Sequence, residues 1–227
     1  MLNQLLISSV FLRAILSFLL GIFSLAKNPR SFTVKLWFLV TIIITLTDLF
    51  FWTSLIVDSV SGVVFYSKLI HFVLAFLPAF FLHFVLEFTH QRVPNKRIIL
   101  AVGYILASII AAASLTEQFI LGASPKAGIP LVLDPGLLYP LFMAYLVSYS
   151  LIGMIFLFRG YVRSDGILRK KFFWVLVGNL VAFLTGTTGY LPQISNIFPF
   201  GYLIGWTYPI LITYGIFIDE IKIKIKF

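Results

Sequence analysis

The segment from Phe172 to Ile218 is the strongest constraint on the fold. It reads FFWVLVGNLVAFLTGTTGYLPQISNIFPFGYLIGWTYPILITYGIFI. Two apolar runs of membrane-spanning length lie almost back to back, and only Ser195–Phe198, a turn without charge, separates them. A helix needs about 20 apolar residues to cross a hydrocarbon core roughly 30 Å thick. The pair therefore predicts two adjacent transmembrane helices, ending abruptly in Asp219-Glu220 and a Lys-rich tail.

Composition extends this to the whole chain. Its 227 residues are 60% hydrophobic and 11% charged, with mean hydropathy +1.05. So few charges cannot cover that much apolar surface in water. Seven apolar runs fit, near Leu5–Ala26, Leu36–Val57, Lys68–Thr89, Ile98–Leu115 and Leu137–Phe158, followed by the pair above. The expected fold is an all-α membrane protein, a bundle of seven transmembrane helices, with residues 1–219 as one domain and 220–227 as a cytoplasmic tail. The N-terminus lacks a basic leader region, so the first run reads as a retained helix.

Charge distribution predicts orientation. Lys27, Arg30, Lys35, Arg92, Lys96, Arg97, Arg159, Arg163, Arg169, Lys170, Lys171, Lys222, Lys224 and Lys226 would all lie on one side. These are fourteen of the 17 basic residues, and only Lys68 and Lys126 fall on the other side, with Arg13 inside the first helix. By the positive-inside rule the N-terminus is outside and the C-terminus cytoplasmic, in the cell's inner (plasma) membrane. The net charge of +9 is then explained by topology and anionic lipid rather than by nucleic acid.

The longest connection, Thr116–Gly136, has turn formers at both ends of a short apolar run. It reads as a small hairpin or interfacial loop capping the outer face, or as a plain connector. The prolines in it argue against a long strand.

Charges inside a span are costly and face the bundle interior or water. Arg13 and Asp48 fall at similar depth on neighbouring antiparallel helices, at about 1.5 Å rise per residue. They either form an ion pair or find polar partners separately. His83 and Glu87 share a helical face, as a hydrogen-bonded pair or an interfacial anchor. Asn179, Thr185, Thr187 and Thr188 interrupt the sixth apolar run, where Gly186 and Gly189 would allow close packing. Gly201, Gly205 and Pro209 would bend the seventh helix. Tyr190, Gln193, Tyr202 and Trp206, with Trp52 and His71, form either a ligand pocket or an aromatic belt. The tail Ile221–Phe227 alternates strictly and favours an extended strand or membrane-edge anchor.

Enzyme signatures are missing: there is no phosphate-binding Gly-rich loop, no nucleophile elbow and no paired catalytic carboxylates. With no cysteine and no metal-binding His spacing, neither a metal nor another cofactor is expected. No lysine lies within Pro199–Ile218, so a retinal Schiff base has no attachment point there.

Several stretches resemble the seven-helix N-terminal region of bacterial sensor histidine kinases. They are Trp52 in the second helix, LPAFFLHFVLEFTHQ in the third, RKKFFWVLVGNLVAFLTGTTGYLPQ at the sixth, and NIFPFGYLIGWTYPILITYGIFIDEIKIK at the last. The resemblance implies a membrane sensor module that passes an outer or intramembrane stimulus, whose ligand is unknown, through helices six and seven to a cytoplasmic signalling domain or protein. The family's kinase parts are absent before Phe227, which leaves a fragment, a split gene product or a stand-alone module. Two alternatives stand beside it. Leu191-Pro192-Gln193-Ile194 resembles the motif of small Pro-Gln transporters, although only one copy is present. A non-catalytic membrane scaffold would share the same lack of catalytic groups.

Overall fold

A computed structural model describes residues 2–91 and 93–223. Arg92, the tail residues 224–227 with Lys224 and Lys226, and the side chains from Asp219 to Ile223 lie outside the described residues. The elements are α1 (Leu2–Lys27), α2 (Phe32–Ile56), α3 (Val60–Leu74), α4 (Leu77–Phe88), α5 (Lys96–Ser114), β1 (Ile120–Lys126), β2 (Ile129–Pro135), α6 (Tyr139–Arg163), α7 (Gly166–Thr188), α8 (Leu191–Ser195) and α9 (Tyr208–Ile223). Two 3₁₀ turns, Phe200–Leu203 and Gly205–Thr207, precede α9.

These form seven columns. Six are long and apolar enough to cross a bilayer: Leu2–Lys27, Phe32–Ile56, Val60–Phe88, Lys96–Ser114, Tyr139–Arg163 and Gly166–Ser195. The seventh, Gly205–Ile218, is shorter. Exposed Phe18, Leu19, Ile22 and Phe23 on α1, and Ile98, Ile105 and Ile109 on α5, give the outside of the bundle an apolar coat suited to lipid.

Small residues set the helix contacts. The buried face of α1 carries Ser9, Ala14, Ser17, Gly21 and Ser24, so the α2 backbone comes close. A Cβ added at Gly21 would lie 2.1 Å from Thr41 Oγ1. The core itself is aromatic and branched: Trp37, Phe81, Phe84, Leu157, Val175, Ile212 and Phe217 form its centre. Trp37 Nε1 donates to Thr213 Oγ1 at 3.1 Å, tying α2 to α9. Ser31 and Ser59 cap α2 and α3, accepting from Val34 N–H and Gly62 N–H.

Four expectations from the sequence are corrected. The third column starts at Val60 rather than near Lys68, because Ser59 caps it, and it breaks after Leu74. Pro78 has no N–H to offer the Leu74 carbonyl and its ring crowds that oxygen. The basic loop Arg159–Lys171 shrinks to Ser164-Asp165, because α6 and α7 extend to Arg163 and from Gly166. Long basic side chains can reach past the apolar core, so the helices need not stop at it. The last column is not one continuous α-helix bent at glycines: it begins as two 3₁₀ turns, and α9 has 16 residues. Pro209 cannot donate to the Gly205 carbonyl and sits instead in the first turn of α9, where no donor is needed. Ile221, Lys222 and Ile223 continue α9 rather than starting a strand.

Thr116–Gly136 is an antiparallel hairpin, β1 against β2. Ala127 and Gly128 turn it with φ of 54° and 75°, as a two-residue hairpin turn requires. Its strands hold seven residues each. Asn3 Nδ2 donates to Gly128 O at 2.8 Å, and Ala127 N–H donates to Asn196 Oδ1. The hairpin therefore lies at the end of the bundle where α1 begins. Phe119, Ile120 and Leu133 anchor it on Tyr139 and Phe142.

Lys126 Nζ pairs with Asp134 Oδ1 at 2.6 Å, and Ser124 Oγ donates to the same oxygen at 2.7 Å. Partial burial pushes the Asp134 carboxyl up, but hydrogen bonds from Lys126 and Ser124 and the Lys126 charge outweigh it and hold the group below the usual carboxylate range. A carboxyl lowered in the folded state adds stability above its unfolded value, about 3.9, and loses that stability as pH falls through the folded value. The protection factors of the β1 and β2 amides, taken against their intrinsic exchange rates, should fall below about pH 4 in the wild type. In Asp134→Asn they should already be lowered at neutral pH and show no such acid step. An acid step of equal size in the variant would assign it to another group.

Candidate functional site: a chamber between the helices

Arg13 on α1 and Asp48 on α2 meet in the bundle interior. Arg13 Nε donates to Asp48 Oδ2 at 2.7 Å, and Nη2 donates to Oδ1. Both residues are buried, at 5% and 1% exposure. The Tyr202 ring lies 4.4 Å from the guanidinium carbon, a cation–π contact. A Cβ added at Gly205 would sit 2.8 Å from Arg13 Nη1. A side chain at this position would displace the guanidinium tip from where it lies.

The ion pair forms part of the wall of a cavity of about 150 Å³. On one side lie Trp37, Val40 and Ile44 of α2 and Phe81 of α4; on the other lie Asn179, Ala182 and Gly186 of α7 and Tyr208 and Ile212 of the last column. Trp37 and Asp48 are eleven residues apart, so the chamber follows α2 for about 16 Å. Asn179 donates to the Val175 carbonyl one turn back, at 2.7 Å. Gly186 does not pack against a neighbouring helix as expected, since an added Cβ would meet nothing within 4 Å. Gly189 does pack closely, with an added Cβ 2.3 Å from Tyr202.

A second cavity, about 60 Å³, lies under the hairpin. Thr47, Leu74, Tyr190 and Tyr202 line both and form the partition between them. His71, Tyr190, Gln193 and Tyr202 come together here. Trp52 and Trp206 do not join them. Trp52 packs 5.1 Å from Phe11, and Trp206 Nε1 donates to the Leu203 carbonyl at 3.2 Å.

Beneath the hairpin a chain of polar groups crosses three columns. His71 Nδ1 lies 2.7 Å from the Ser67 carbonyl, and Nε2 lies 3.1 Å from the Tyr139 hydroxyl. That hydroxyl is 3.0 Å from Gln193 Oε1. A carbonyl only accepts, so Nδ1 carries the proton. In the neutral ring Nε2 accepts from Tyr139, and Gln193 must turn its amide N–H toward the phenol. In the charged ring Nε2 donates and Tyr139 donates to Gln193 Oε1. One proton on His71 thus sets which way Gln193 faces.

At the opposite end, where the basic residues gather, His83 Nε2 lies 3.7 Å from Glu87 Oε1. The closer partner of Glu87 is Lys96 Nζ, at 2.6 Å. His83 Nδ1 lies 2.9 Å from the Tyr104 hydroxyl. These contacts join α4 to α5 and stand apart from the chamber. Among the described residues no group of His, Asp and Glu could hold a metal.

Tyr139, Thr47, Trp37 and Tyr208 were not singled out by sequence. Only Thr47 carried a signal, as a polar neighbour of Asp48 in an apolar run. Tyr139 becomes visible once the hairpin folds back over α3.

Fold and site together define a multi-pass helical membrane protein with a mostly apolar cavity built around one buried ion pair. The chain belongs to the family of the N-terminal seven-transmembrane region of histidine kinases, whose family model matches residues 9–219. The match is to the membrane region of those kinases and not to their catalytic part. Among curated proteins no match to the chain is found.

Proposed function

We propose that this chain is a non-catalytic sensory module of the inner membrane. A stimulus reaches the interior from outside or from the bilayer, and α7 and α9 relay it to a cytoplasmic signalling domain or protein. Residues 1–219 are the sensor, and 220–227 the cytoplasmic tail. The observation that carries this reading, within a family of kinase sensor regions, is that α7 and the last column both line the chamber. Whatever occupies it touches the element that leads into the tail. The side chains Trp37 and Thr213 couple α9 to α2 as well. A stimulus shifts such a bundle only by binding two arrangements unequally.

The orientation is N-terminus and hairpin outside, with the basic ends and C-terminus in the cytoplasm. The side on which the basic residues gather supports it. The chain has no cysteine, so single-cysteine variants report without background. Asn3→Cys should react with an impermeant maleimide on intact cells, and Ser164→Cys only after permeabilisation. The reverse pattern overturns the orientation. For the relay, a kinase domain fused after Phe227 should change its autophosphorylation severalfold when α7 and α9 are forced apart by substitution at Gly215. Unchanged output at equal expression would sink the relay.

A further inference from the structure

We propose that the chamber beside the Arg13–Asp48 pair is a binding site for a small uncharged molecule with an apolar body and one hydroxyl or carbonyl group. The inference rests on the sensory reading and names the chemical class of the stimulus. Three features of the chamber carry it.

Size comes first. A cavity of about 150 Å³ accepts a molecule on the order of six to ten non-hydrogen atoms, a single ring with a short substituent.

Charge comes second. Arg13 and Asp48 use their fork and both carboxylate oxygens on each other. They are the only Asp, Glu, Lys, Arg or His among the lining residues described. A charged occupant would find no spare counter-ion, and burying it unpaired is prohibitive. An uncharged occupant meets mostly apolar walls such as Val40, Ile44, Phe81 and Ile212.

The third feature is an orphaned group. Thr47 Oγ1 is buried and has no hydrogen-bond partner in the protein. Its neighbours Thr41, Thr45 and Thr53 all bond a helix carbonyl three or four residues back. Ser17 Oγ is the other such atom among the described residues, and it does not line the chamber. A hydroxyl left unpaired in an apolar interior costs free energy unless an occupant completes it. Thr47 stands in the partition between the two cavities. Across the chamber Gly186 leaves the α7 backbone open, with nothing within 4 Å of an added Cβ.

The test uses the full chain in lipid nanodiscs and fluorine NMR of three probes: fluorobenzyl alcohol, fluorotoluene and fluorobenzoate. Saturable line broadening is expected for the alcohol and the toluene and not for the benzoate. Gly186→Leu fills the chamber and should weaken both at least about tenfold, with thermal stability equal to or above that of the wild type. Thr47→Val keeps the shape and should weaken the alcohol about fivefold, with fluorotoluene unchanged. Equal broadening in wild type and Gly186→Leu would mean partition into lipid, and would overturn the site. So would tighter binding of fluorobenzoate, or no saturable effect at all. If Gly186→Leu does not fold, the alcohol-against-toluene difference in Thr47→Val decides. The readout is independent of signalling. Saturable binding with no change in the fused kinase keeps the site and sinks the sensory reading; a responsive kinase with no probe binding does the opposite.

Discussion

Asp48→Asn is expected to destabilise the bundle by about 3–5 kcal/mol, read as unfolding in mixed micelles. The magnitude follows from where the pair sits. An exposed ion pair contributes about 0–1 kcal/mol. Here the partners are 5% and 1% exposed, so removing one charge leaves the other buried without compensation. Arg13→Leu should cost a similar amount, since it strips the Asp48 carboxylate of both donors. Arg13→Met with Asp48→Leu should recover most of the loss, because an apolar pair carries no desolvation penalty. The charge swap Arg13→Asp with Asp48→Arg should recover only part. It places a carboxylate under the Tyr202 ring, which now faces the guanidinium. Strictly additive losses in the double variants would show that the two residues act separately.

Gly215→Leu should cost about 1–3 kcal/mol and push α7 and α9 apart. Its neighbours cannot give way. An added Cβ would lie 2.9 Å from Val175 N and 3.0 Å from Trp174 Cβ, backbone and side-chain root rather than flexible tips. Even alanine meets this obstacle. Gly178 mirrors it from the other helix, where a Cβ would approach Ile212 N at 3.1 Å. Glycine on both faces is what lets the two columns touch. Gly186, also on α7, is the control, because its side faces open space. Spin-label distances between α7 and α9 should lengthen in Gly215→Leu and stay at the wild-type value in Gly186→Leu. Unchanged spacing in both would show that the contact adapts locally.

The sequence was legible where one physical signal dominated. Runs of apolar residues longer than the bilayer is thick left no other fold, and the family resemblance followed from the same stretches. The depth of Arg13 and Asp48 could be counted because helical rise is constant. The 3₁₀ start of the last column was not legible. Gly201, Gly205 and Pro209 permit a bend, but only contact with Thr185 and Arg13 decides its form. The partners of His71 were equally hidden, since Tyr139 lies 68 residues away. Trp52 and Trp206 lie apart from His71 and Gln193, a division the sequence does not show because aromatic residues near a helix end serve packing as readily as recognition.

The tighter winding of Phe200–Thr207 has a mechanical consequence. A 3₁₀ residue advances about 2.0 Å where an α residue advances 1.5 Å. If the seven 3₁₀ residues of these two turns rewound to α geometry, α9 would be drawn about 3.5 Å along its axis and twisted through roughly 140°. The last column thus holds a few ångströms of extra length beside the guanidinium, which rewinding to α geometry would take up.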